Sequence, residues 1–119
     1  MNNLSSRVVV NVSNGMVASS HELASFHGSK VLSDGGNVVD AAITTSAVLC
    51  VTQNNLCGLG GDLFALIKYK GEILNLNGSG RASENATIDF YKREKKLAKI
   101  PDRGPLAAPT VPGIVHYFL

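Results

Sequence analysis

The stretch Val38 to Thr52 most narrowly limits what this chain can become, because wound as a helix it is apolar or small on nearly every side. A helix of that kind has to be covered by protein all round. The helical reading is local: Asn37 is a favoured N-cap residue, and Asp40 in the first turn complements the helix dipole. Asp40, Thr44, Thr45 and Ser46 interrupt the segment. It falls short of the roughly 18 uninterrupted apolar residues of a membrane span.

Around that helix the sequence predicts a mixed order of elements. Residues 7 to 18 hold two short apolar runs about Ser13, Asn14 and Gly15, which suits a hairpin or a strand entered through a turn, with Met16 to Ser19 extended. Ser19 followed by Glu22 matches a capping box, so a first helix is expected from about Ser20 to Ser33, stopped by Gly35 and Gly36. After a glycine-rich loop at residues 57–62, Leu63 to Tyr69, Lys70-Gly71 and Glu72 to Leu76 read as a hairpin. Its first strand does not separate apolar from polar residues and is expected to be buried on both faces. A short exposed helix is expected within Tyr91 to Lys99, followed by a loop broken by Pro101, Pro105, Pro109 and Pro112. Gly113 to Leu119 is apolar and carries no stop signal, so the chain reads as ending within an element.

These elements make the fold class α/β (α+β), with residues 1–119 as one incomplete domain and no internal linker. A buried helix and a buried hairpin leave apolar surface to be covered by the rest of the same polypeptide, another chain or a second copy. No internal repeat suggests that the chain covers itself.

Composition excludes several functions. At 119 residues, 45% hydrophobic and 17% charged, the chain is globular, and a net charge of +2 does not steer nucleic acid or an acidic membrane. No nucleic-acid or membrane partner is expected. Cys50 and Cys57 are too few for a disulfide framework or a zinc site, and six residues separate His21 from His27, which is not a ligand spacing. No metal and no cofactor are expected. The apolar run Val8 to Val10 is shorter than a secretory core, which predicts a cytoplasmic protein.

Few residues carry chemistry. Ser19, Ser20, His21 and Glu22 are the right types for a hydrolytic relay, but neighbours on a helix point apart, and capping accounts for them. Thr44, Thr45 and Ser46 lie within the apolar helix without a base beside them and are read as packing and back-bonding residues. The run Gly58 to Gly61 follows a helix and opens a strand, the reverse of a dinucleotide loop; it marks close approach either to another segment or to a substrate. Lys92, Arg93, Lys95, Lys96 and Lys99 are interrupted by Glu94 and lack aromatic partners, so they read as a solvated face. Arg81 differs. It follows Asn77-Gly78-Ser79-Gly80 at the end of a predicted strand, where a guanidinium is able to clamp a carboxylate bidentately.

Four segments in order, Gly15 to Ser25, Gly35 to Ala42, Gly58 to Gly61 and Val111-Pro112-Gly113, resemble the signature of the gamma-glutamyltransferase (glutathione hydrolase) family. The variants Gly-Leu-Gly-Gly-Asp and Asn-Gly-Ser-Gly-Arg-Ala are similar to a divergent, transferase-like branch. The resemblance implies an αββα four-layer N-terminal-nucleophile hydrolase fold, of which this chain would be the N-terminal part of the large subunit. It implies a self-cleaving precursor whose new N-terminal threonine, on the small subunit, attacks a gamma-glutamyl amide such as glutathione. No catalytic residue is therefore expected here, and the chain alone should be inactive. The expected partners are a gamma-glutamyl donor, the rest of the large subunit and the small subunit. For the family's carboxylate-binding arginine, Arg81 is the heir by residue type, whereas aligning the family's ending on Ala82 puts Ser79 under it. Ser83 stands where the family usually has proline. The alternative is a non-catalytic interaction module derived from the fold.

Overall fold

The structure, a computed structural model, describes residues 10–107 and 110–118. They gather into two compact units, Met1–Leu56 and Cys57–Leu119. The run Val8-Val9, Pro109 and Leu119 lie outside the described residues, as does most of the N-terminal stretch read for localisation.

The first unit packs α1, Glu22–Ser33, against α2, Val38–Thr52. The expected strand or hairpin before it does not form within residues 10–18, which carry only a bend at Ser13 and Asn14. The cap of α1 is a second correction. His21, not Ser19, is the N-cap, its Nδ1 accepting the Leu23 N–H at 3.2 Å. The Ser19 hydroxyl is already committed, donating to the His21 carbonyl at 2.9 Å and sharing a 2.7 Å hydrogen bond with Ser25 Oγ, so the chain enters the helix later than the box pattern implies. At the other end, Gly35 at φ +90° donates to Leu32 O and Gly36 donates to Val31 O at 2.9 Å. That is a Schellman stop, and it needs the glycine.

Helix α2 begins as expected. Asn37 Oδ1 accepts from Val39 N at 2.8 Å and Asp40 N at 3.0 Å, while Asp40 Oδ2 accepts from Asn37 N at 3.2 Å. Asn37→Ala is expected to lower the stability of this unit by about 1 kcal/mol in urea unfolding, with Asn37→Ser recovering most of the loss. The helices meet where side chains are small: Ala24, Gly28, Ala41 and Thr45 are the buried residues of the pair. A Cβ on Gly28 would overlap Thr45 Oγ1 and lie 3.0 Å from Val17 Cγ1. Only one stripe of α2 is buried; Val38 and Val51 are 61% and 78% exposed, so the full covering that its composition demands is not supplied within this unit.

The second unit holds β1, Leu63–Tyr69, and β2, Glu72–Gly78, paired antiparallel from Leu63 with Gly78 to Tyr69 with Glu72. Lys70 at φ +48° and Gly71 at φ +88° make the two-residue turn, whose backbone twist matches that of the strands. The expectation that β1 is buried on both faces is not met. Leu63, Ala65 and Ile67 are half-buried, whereas Phe64 and Leu66 are 66% and 77% exposed, because two strands alone offer nothing to stack on the second face. In place of a short exposed helix, a π-helical turn spans Phe90–Glu94, closed by Lys95 N–H donating to Phe90 O, and it buries Tyr91. A last helix, α3, covers Ile114–Phe118.

Candidate functional site

The site in the second unit is built by backbone. Beyond β2 the chain turns through Gly80 at φ +82°, and residues 110–113 return alongside it. Val111 N–H donates to Arg81 O at 2.9 Å, and Ala82 forms a bridge with Thr110. The approach is closer than side chains allow. A Cβ on Gly113 would overlap Gly78 O and stand 2.7 Å from Gly80 N, and one on Gly80 would overlap Val111 O. Two glycines therefore let the strands cross backbone on backbone.

Beside this crossing lies an open recess of about 510 Å³, lined by Asn77, Gly80, Arg81, Val111, Gly113 and His116, among others. That volume is in the range of small-molecule sites. Arg81 is exposed, and among the described residues it has no carboxylate partner; the ion pairs there, Lys30 with Asp34, Arg93 with Asp89 and Lys99 with Asp102, are all on the surface. No carboxylate is among the residues lining the recess. A guanidinium beside glycine backbone is suited to a small anion. Ser79 is half-buried, its N–H donating to Asn77 Oδ1 at 3.1 Å, and it is not among the lining residues.

The other candidates behave as structural groups. Ser19 and His21 share helix-entry hydrogen bonds and form no relay, and Thr45 Oγ1 donates back to Ala41 O at 2.7 Å. In the glycine loop, Gly61 N–H donates to Gly58 O and Gly61 O accepts the N–H of Ile114 at 3.3 Å, so the loop approaches another segment. Arg93 and Lys99 are held by Asp89 and Asp102, and Lys95 lies over the Phe90 ring at 5.2 Å. Among the described residues there is no group of His, Cys, Asp and Glu able to hold a metal ion, and no helix long and apolar enough to cross a membrane. His116 and Asn77 were not singled out from the sequence. Val111-Pro112-Gly113 was the available signal, since a Pro-Gly pair before an apolar run marks a turn that returns the chain.

Comparison with known proteins gives this geometry a context. A family model described as gamma-glutamyltranspeptidase matches residues 24–119. The chain is 45% identical over 102 residues to the glutathione hydrolase-like YwrD proenzyme of Bacillus subtilis, and 38% identical over 102 residues to the oxamate amidohydrolase proenzyme of Klebsiella pneumoniae. These alignments cover 84% and 85% of this chain but 19% of each relative. The crystal structure of Helicobacter pylori gamma-glutamyltranspeptidase is similar with a TM-score of 0.80 and 34% identity, over 93% of this chain and 32% of that one.

Proposed function

This chain belongs to the gamma-glutamyltranspeptidase family and has the mixed helix-and-strand fold of the matching part of those N-terminal-nucleophile hydrolases, and from that premise we propose that it supplies part of the donor pocket of an enzyme that hydrolyses or transfers a gamma-glutamyl group. Glutathione and related amides are the donors this reading favours. The observation that carries it is the recess at the glycine crossing, where Arg81 stands without a protein carboxylate among the described residues. In this assignment Arg81 holds the donor's α-carboxylate and so orients the amide toward a nucleophile. Holding a reactant in register removes much of the entropic barrier to attack. The nucleophilic threonine and the groups that stabilise the oxyanion come from outside this chain, from the remainder of the large subunit and from the small subunit.

Two of the named relatives support the same chemical class. Both are proenzymes, and one is named for an amide whose carbonyl neighbours a carboxylate. Arg81, rather than Ser79, is assigned to the carboxylate because it lines the recess and carries the charge. The purified chain alone is expected to release no p-nitroaniline from gamma-glutamyl-p-nitroanilide, while the enzyme assembled with the remaining segments turns it over. Turnover by the chain alone would place a nucleophile within it; none by the assembled enzyme would leave a non-catalytic interaction module.

A further inference from the structure

Arg81 is exposed and carries its charge at the end of a long side chain, so what the fold sets is where that side chain begins. The root is set from across the crossing. Residues 79–82 belong to no strand, and among the described residues their one backbone-to-backbone hydrogen bond is the 2.9 Å bond that Arg81 O accepts from Val111 N–H. Gly80, just before Arg81, is at φ +82°, and a Cβ on it would overlap Val111 O. The turn into Arg81 is thus shaped against the same residue that bonds it.

The arm that carries Val111 is itself tied to the hairpin. Gly113 lies against Gly78 and Gly80, and Ile114, 5% exposed, donates its N–H to Gly61 O at 3.3 Å. Gly78 is the register partner of Leu63, and Gly61 stands two residues before Leu63, so both ties lead to the start of β1. Residues 111–114 therefore take their place from the hairpin, and the Val111 N–H passes that reference on to Arg81. The Val111 side chain is 67% exposed, which leaves the backbone donor as the part of the residue that holds anything. We infer that Val111 is a positioning residue: its N–H, on Arg81 O, places the arginine's backbone so that the guanidinium meets the donor's carboxylate. This inference rests on the proposed donor pocket.

The test measures kcat and KM of the assembled enzyme for gamma-glutamyl-p-nitroanilide. Two replacements remove the donor: Val111→Pro, at a position that Pro112 already holds to extended backbone, and an ester made by replacing Val111 with its α-hydroxy acid, which keeps the side chain and decides the matter should the proline form fail to fold. Each is expected to raise KM about threefold to tenfold, the scale of one neutral hydrogen bond, with kcat little changed, because the carboxylate is held alike in the ground and transition states. Val111→Ala, which keeps the N–H, is expected to give a smaller rise than either. In an Arg81→Ala background the ester should add no further rise, since positioning has no effect once the guanidinium is gone. If the ester leaves KM unchanged, if Val111→Ala raises it as much, or if the full rise persists without the guanidinium, Val111 does not act through Arg81 and the inference is overturned while the pocket stands. If Arg81→Ala alone leaves KM unchanged, the pocket assignment falls and the inference with it.

Discussion

Gly113→Ala is expected to break the backbone crossing and to cost the second unit about 3 kcal/mol or more, at the upper end of overpacking penalties. The reason is what the new methyl group meets. Its neighbours would be Gly78 O, Gly78 C at 2.6 Å and Gly80 N at 2.7 Å, all main-chain atoms of the arm that ends in Arg81. A flexible side chain is able to swing aside; a backbone already bonded on its other flank cannot. Relief has to come from parting the arms, which gives up the bond from Val111 N–H to Arg81 O and the Ala82–Thr110 bridge. Gly60→Ala is the matched control, since nothing lies within 4 Å of its added Cβ. It is expected to be near neutral or slightly stabilising through reduced freedom of the unfolded chain. Urea midpoints for the two variants check the contrast, and a Gly113→Ala midpoint equal to that of Gly60→Ala would show that the crossing is not tight.

Such a crossing bears on how much of the molecule was legible beforehand. Local chemistry read well. The Asn37 cap starts α2 at Val38, and Lys70-Gly71 turns the hairpin, because caps and tight turns are decided by residues a few positions apart. The start of α1 failed for an equally local reason, since the Ser19 hydroxyl took His21 O and Ser25 Oγ instead of capping the helix. Burial was less legible. Apolar composition says that Phe64 and Leu66 call for a cover; it does not say that β2 provides it, and they remain exposed in this unit.

The site divides in the same way. Arg81 was visible because a cation after Asn-Gly-Ser-Gly is conspicuous at a strand end. His116 was not, because it reaches the recess only through contact between Gly78–Gly80 and Val111–Gly113, and no periodicity in the sequence records a pairing between segments that far apart.

Arg81→Ala in the assembled enzyme is expected to produce the largest functional change, a rise of about tenfold to a hundredfold in the donor's KM. The guanidinium is the permanent cation of the recess, and a planar fork matches a carboxylate in a way that an ammonium does not. Arg81→Lys should therefore recover the charge but only part of the affinity. Ser79→Ala should have a smaller effect, because the hydrogen bond described for Ser79 is made by its backbone N–H, which alanine keeps.

The most direct measurement is the KM of the assembled enzyme for gamma-glutamyl-p-nitroanilide and for its carboxylate-free 4-aminobutanoyl analogue, each with Arg81 intact and replaced by alanine. The account predicts that the substitution raises KM for the first donor at least about tenfold and changes it little for the second, removing the preference between them. An unchanged KM for the carboxylate-bearing donor would contradict it and put the substrate's carboxylate somewhere other than the Arg81 recess.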